Sequence, residues 1–229
     1  MQEEMESEQQ AERQTQNAFV GFDPAELSKQ DAYQILLNCV SPRPIAFVSS
    51  LSAAGRPNLA PFSFFMAGGA NPPSVAFSPS YNRNGDPKDT LVNIRETGEF
   101  VINVVTFDIR DRMNHASVEF PRGVSEWDEA GFTPAPTVKV RPARVAESVL
   151  AMECRLFQIV EHGGAPLSAN YVIGEVVYFH VAKRLLDSSG KIDATQIDYI
   201  GRMSGDWYSR ANAEAMFALG RPPRIDKQA

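Results

Sequence analysis

Apolar and polar positions along this chain follow mostly the two-residue period of β-strands, with a few short stretches of helical spacing. Residues 28–40 carry Tyr33, Ile35, Leu36 and Leu37 and predict a short helix. The stretch SPRPIAFVSSLSAAGRPNLAPFSFF (41–65) predicts two strands, with β-formers Ile45, Phe47 and Val48 and a turn at Ala53-Ala54-Gly55. A third strand is predicted over 72–80 and an apolar one over EFVINVV (99–105). Residues 108–118 and EWDEAGF (126–132) predict helical pieces, and 133–143 an extended, proline-broken run. Two long β patterns follow at 145–161 and 171–183, and Gly163-Gly164 starts their connection. IDYIGRMSGDWYSR (197–210) reads as a loop-rich tail with aromatic anchors. Many strands, few helices and no regular βαβ alternation favour one barrel domain with peripheral helices over a doubly wound sheet.

One helix start carries a conflict. In YNRNGDPKDTLVNI (81–94), Asp86 suits the N-cap, Pro87 the first helical position and Gly98 the stop. Lys88 then falls in the first turn, where unpaired N–H groups and the helix dipole disfavour a cation by about 0.3–1 kcal/mol. Its neighbours three and four residues on, Leu91 and Val92, offer no carboxylate. A bound anion resolves the conflict, with Arg83, Lys88, the Thr90 hydroxyl and free N–H groups holding a phosphate. A solvated cation beside Asp86 and Asp89 is the plainer alternative.

Composition narrows the function classes. The 229 residues are 43% hydrophobic and 22% charged, with a net charge of −6. That acidity argues against a nucleic-acid partner. No run of 18 apolar residues predicts a membrane helix, and the N-terminus lacks the features of a signal peptide, so no membrane association and a cytoplasmic location are expected. Residues 1–18, rich in Glu and Gln, read as a flexible polar tail. Cys39 and Cys154 form no motif and are expected as buried thiols. His115, His162 and His180 match no metal-binding spacing. G-x-G-x-x-G after a strand, the P-loop and G-x-S-x-G are all missing. What remains is the phosphate-like helix start and a hairpin in which Ser49, Ser50, Asn58 and Ser63 interrupt apolar strands beside Phe62, Phe64 and Phe65. Such a mixture suits a flat, partly polar ring with a hydroxylated tail, and equally a strand with one face in water.

Three segments in order, SPRPIAFVSSLSAAGRPNLAPFSFF, NPPSVAFSPS and KDTLVNIRETGEFVINVV, resemble the flavin reductase-like, FMN-binding split-barrel family. Weaker similarity continues through EWDEAGF, YVIGEV and GRMSGDWY, covering about residues 30–210. The resemblance implies a mainly β fold, a six-stranded antiparallel split barrel with Greek-key character and peripheral helices. The FMN-binding domain is then expected over 19–215, between the polar tail read from composition at 1–18 and a C-terminal tail at 216–229. FMN would be bound without a covalent bond, with FAD the second choice, near the interface of a homodimer. Arg83, Lys88, Asp89 and Thr90 would map to the phosphate segment, with Asp89 orienting Lys88 or capping the helix. Ser49, Asn58 and the run Ala60–Ser63, which includes Phe62, would wall the ribityl chain and ring, and Ser80 would face the phosphate from a strand end.

The family's reductases pass hydride from NADH or NADPH to flavin N5, so the missing dinucleotide motif is consistent and no dedicated acid or base is required. Shorter members that serve a partner oxygenase carry a Gly-Asp-His segment. Here that run reads Ser168-Ala169-Asn170, with Ala169 at the histidine position and His162 out of register. The tail from Arg202 to Tyr208 resembles the longer branch. The implied function is an FMN-dependent, NAD(P)H-linked oxidoreductase. A non-catalytic FMN-binding or sensing protein is the alternative, and an FMN-free barrel using the phosphate pocket for another ligand is a third.

Overall fold

A computed structural model describes residues 19–121, 124–164 and 166–222. The polar tail expected at 1–18 and the last seven residues of the chain lie outside them. The chain divides into two compact units between Val40 and Ser41.

The first unit contains helix α1 (Lys29–Cys39), capped by Ser28, whose Oγ accepts from the Asp31 N–H. Only Leu37 of this helix is buried. Cys39, in its last turn, is exposed, which corrects the expectation of two buried thiols; Cys154 is buried.

The second unit is built on a sheet of seven strands, all paired antiparallel: β1 (Ala46–Leu51), β2 (Pro57–Phe62), β3 (Phe65–Ala70), β4 (Pro73–Phe77), β5 (Glu99–Val104), β8 (Leu150–His162) and β9 (Ala169–Val181). Their order across the sheet is β2-β1-β5-β8-β9-β4-β3. The expected count of six misses β3. That strand reads FMAGGA, is exposed at five of its six positions and pairs only with β4, so it carries no alternating apolar signal.

This order forces the sheet to curl. β2 and β3 are its opposite edges, yet only Ser63 and Phe64 connect them. Seven strands laid flat at about 4.8 Å spacing would put the edges about 29 Å apart. Three residue steps span at most about 11 Å. The sheet therefore closes on itself, and the seam between β2 and β3 carries no ladder.

Inside the barrel lie Ala46, Val48, Phe62, Phe77, Leu91, Ile94, Phe100, Cys154, Val172 and Val176. Phe62, Phe77 and Phe100 form a chain of tilted rings with centroids 5.3 and 5.6 Å apart. Gly174 on β9 makes room for it: a Cβ there would sit 2.4 Å from Phe100 Cζ. On the outer face Phe47, Leu59, Met113, Trp127, Phe132 and Ile200 form a second cluster. It is covered by helices α3 (Arg110–His115) and α4 (Glu126–Glu129), which fall where helical spacing predicts them. Two short pairs flank the sheet: β6 (Pro134–Ala135) with β7 (Arg144–Val145), and β10 (Tyr199–Arg202) with β11 (Tyr208–Ala211). The second pair corrects the loop-rich reading of 197–210. Arg202 stacks over Tyr208 at 4.6 Å and Arg210 pairs with Asp198, so charged side chains stabilise a hairpin that lacks an apolar pattern. The buried Arg43 ties this hairpin to the barrel by donating from Nη2 to the Met203 carbonyl at 2.8 Å and from Nε to Ser63 Oγ at 3.4 Å.

A buried carboxylate secures the far side of the sheet. Glu153 on β8 is fully buried and accepts from the N–H groups of Val138 (2.7 Å), Lys139 (2.5 Å) and Val140 (3.0 Å), with His180 Nε2 at 2.6 Å. Burial pushes its carboxyl up, but these partners outweigh burial and hold it below the usual range.

Candidate functional site

The charged helix start predicted around residue 88 begins two residues later than the sequence suggests. Helix α2 spans Asp89–Thr97, and Lys88 is itself the N-cap, with extended backbone at φ −68° and ψ 149°. Its carbonyl accepts from the N–H groups of Leu91 and Val92. Asp86 is unavailable as a cap because Asn82 has folded the loop around it. Asn82 Oδ1 accepts from the N–H groups of Asn84 (2.9 Å) and Asp86 (2.8 Å), and its own N–H donates to the Asp86 carbonyl. The stop at Gly98 is as expected, with φ 70° and its N–H on the Ile94 carbonyl.

This geometry changes the charge conflict. Lys88 is not inside the first turn, and Asp89 occupies that turn. Lys88 also has a counter-ion, Glu119 Oε1, 3.7 Å away with its side chain 79% exposed. An ion pair so wet is weak, roughly 0–1 kcal/mol. The first N–H groups of α2 have no partner within the helix. Lys88 and the first residues of α2, Asp89 and Thr90, line a cleft of about 270 Å³.

Asn58, Ala60 and Phe62 on β2 form one wall of the cleft. Lys88, Asp89 and Thr90 form the end at α2, and Asn82 and Pro87 the adjoining loop. The segment Ala116–Phe120, which continues from α3, closes the opposite side with Glu126 of α4. Asn58 Nδ2 donates to the buried Thr90 Oγ1 at 2.8 Å, so β2 and α2 are locked together at the base. The Thr90 hydroxyl hydrogen remains to be donated elsewhere.

Six of the ten residues singled out in the sequence therefore line one cleft: Asn58, Ala60, Phe62, Lys88, Asp89 and Thr90. Four do not. Ser49 pairs with Leu59 on the outer face of the sheet, and its Oγ donates to the Ala143 carbonyl at 2.6 Å. Its neighbour Ser50 lies opposite Asn58 and faces α2, accepting from Asn93 Nδ2 at 3.1 Å. Ser63 lies in the β2–β3 connection against Arg43. Ser80 sits three residues past the end of β4, half-buried. Arg83 is exposed in the loop before α2 and is not part of the cleft wall. Asn82, Glu119, Phe120 and Glu126 are cleft residues that pattern alone does not mark; the last three come from distant parts of the chain, and Asn82 acts through local turn bonds with no apolar signal.

Three carboxylates temper the positive end. Asp89, Glu119 and Glu126 all line the cleft. Burial pushes the Glu126 carboxyl up, although the N–H groups of Glu126 and Leu59 pull the other way, and nearby Asp89 adds to the rise. The cleft can hold a compact anion at Lys88 and the α2 N-terminus, with a partly apolar body along Ala60, Phe62 and Phe120. Among the described residues no group of three or more His, Cys, Asp or Glu side chains could hold a metal ion. None of the described helices is long and apolar enough to cross a membrane.

The chain is similar to known proteins over most of its length. The family model described as flavin reductase like domain matches residues 38–196. An uncharacterized protein of Halalkalibacterium halodurans is 37% identical over 203 residues, covering 88% of this chain and 96% of the relative. The crystal structure of nitrilotriacetate monooxygenase component B from Bacillus cereus superposes with a TM-score of 0.80 at 32% identity, covering 91% of this chain and all of the other. That of the 2-nitrobenzoate 2-nitroreductase of Pseudomonas fluorescens gives 0.80 at 28% identity, covering 92% of this chain and all of the other.

Proposed function

The chain belongs to the flavin reductase-like domain family, and from that premise we propose that it is an FMN-binding oxidoreductase that accepts hydride from NADH or NADPH. The observation that carries the reading is the cleft in which Lys88 and the N-terminus of α2 face a wall of β2 through the Asn58–Thr90 lock.

The residues present fit FMN. Lys88, the leading N–H groups of α2 and the Thr90 hydroxyl would hold the phosphate. Asn58 would serve the polar chain, and Ala60, Phe62 and Phe120 would flank the flatter, apolar part. Bound FMN would supply the hydride acceptor at N5. The chain's own residues bind and orient: Lys88 neutralises charge, Asn58 fixes the Thr90 hydroxyl, and the 116–120 segment shields one side from water. Glu119 would release Lys88 as the phosphate arrives.

Two neighbours support the oxidoreductase reading, since one is named as a monooxygenase component and the other as a nitroreductase. A partner oxygenase belongs to the proposal on the first of these. A homodimer does too, supported by the exposed pair Val160 and Tyr171, and by Phe157 on the same hairpin.

The test is an anaerobic absorbance scan of the FMN-loaded protein before and after NADH, then NADPH. Rapid bleaching by either nucleotide supports the reductase. Bleaching by dithionite alone favours a flavin-binding protein reduced by another agent.

A further inference from the structure

A second groove lies on the outer side of the same unit and shares no lining residue with the flavin cleft. It measures about 300 Å³ and runs between the start of α3 and the β10–β11 hairpin. Phe107, Ile200 and Tyr208 supply apolar wall, and Arg110, Arg210 and Asn114 supply the polar rim.

The charges are arranged unusually. The Arg110 guanidinium carbon lies 3.9 Å from the Phe107 ring centroid and that of Arg210 lies 3.8 Å from it. Two guanidinium groups cannot share one face at that distance, so Phe107 is held between them. Two cations are thereby fixed on either side of one ring, each restrained by a further anchor. Arg110 Nη1 donates to the Phe107 carbonyl at 2.7 Å, and Arg210 is held by Asp198 through bonds of 2.7 and 2.6 Å.

These anchors leave donors over. Each guanidinium has five N–H groups in a rigid plane. Arg210 spends two on Asp198. Arg110 spends one on the Phe107 carbonyl and meets Asp111 at 3.1 Å, but the Asp111 side chain is 83% exposed, so that pair is readily exchanged. Asn114 uses Oδ1 to accept from the Tyr208 hydroxyl at 3.3 Å, which turns its amide N–H₂ into the remaining hydrogen-bonding group. Asp111 is the one carboxylate in the lining. The groove thus presents N–H donors and positive charge around an aromatic and aliphatic floor.

We propose that this groove is a binding site for a small aromatic carboxylate. The ring would lie against the open edge of Phe107 and against Ile200 and Tyr208, and the carboxylate would take N–H groups of Arg110 and Asn114 in place of Asp111. A planar carboxylate matches a guanidinium edge through two parallel hydrogen bonds, which a neutral amide does not. A bare anion such as acetate or inorganic phosphate would gain the charge and forgo the apolar wall. The site stands apart from the flavin reading and does not depend on it.

Benzoate is the probe. Calorimetric titration of the full chain, with and without FMN, is expected to show benzoate binding in the millimolar range, as befits a ligand of so few atoms. Benzamide, acetate and inorganic phosphate should each bind at least roughly tenfold more weakly. Arg110→Gln should weaken benzoate roughly tenfold and leave FMN binding unchanged. Asn114→Ala, on an exposed helix face, should weaken it by a smaller factor and guards against a folding defect in the first variant. The proposal is overturned if benzoate does not bind, if benzamide binds equally well, or if both variants bind benzoate like the parent. It is also overturned if benzoate competes with FMN, which would place it in the flavin cleft.

Discussion

Lys88 carries more of the functional argument than any other side chain, and it does so as a single wet cation whose present partner is weak. Reversing it should be costly: Lys88→Glu is expected to raise the FMN dissociation constant by roughly tenfold or more, because it sets like charge against a phosphate. An unchanged constant at moderate salt would remove Lys88 from the site. Glu119 should respond in the opposite sense. Removing its charge in Glu119→Gln frees Lys88 of an exposed pair worth about 0.2–1 kcal/mol, so FMN should bind about 1.5- to 5-fold more tightly by fluorescence titration. Weaker binding would show that Glu119 assists the ligand. At this scale the sequence was partly legible. Lys88 and Thr90 were visible because a cation at a helix start is out of place. Ser49 and Ser50 look alike in sequence yet point to opposite faces of β1, and nothing local tells which face is which. Glu126 was invisible because its place in the cleft depends on long-range packing.

Among the elements, the β8–β9 hairpin shows how single residues set the barrel. Gly174 opposes Leu156 and leaves space for the Phe100 ring. Gly174→Ala places a methyl group against a buried ring, and should destabilise the protein by about 1–3 kcal/mol, read as a lower urea midpoint. A midpoint equal to the parent's would mean that Phe100 can move aside. Glu153 binds the 138–140 segment to β8 through three backbone N–H groups. Glu153→Gln keeps the shape, loses the charge and should cost about 1.5–3 kcal/mol at neutral pH. Because the folded carboxyl is held below its ordinary value of 4.5, its contribution is full above that value. It is lost as pH falls from there through the folded value. The difference between parent and variant should therefore shrink in acid, and a difference that stays constant from neutral pH to pH 3 would contradict the assignment. Most strands were legible from apolar alternation or density. β3 was not, since an exposed Gly-Gly edge strand is fixed by its partner β4, and the β10–β11 hairpin was not, since ion pairs and stacked arginines hold it.

Across the whole molecule, the order of the strands does the work. It brings β2 beside α2 and leaves the cleft where the segment after α3 crosses both. The family could be read from three ordered segments, and the helix start suggested the anion proposed for that cleft. The seventh strand, the carboxylates of the cleft and the second groove follow only from the closed sheet. The central claim is that this fold holds FMN through its phosphate. The most direct measurement compares the dissociation constants of FMN and riboflavin for the full chain at about 0.1 M salt, where exposed charges beyond ~10 Å are screened. FMN is expected to bind roughly tenfold or more tightly than riboflavin, since riboflavin lacks the phosphate that Lys88 and α2 are proposed to hold. Equal affinities, or no binding of either flavin, would contradict it.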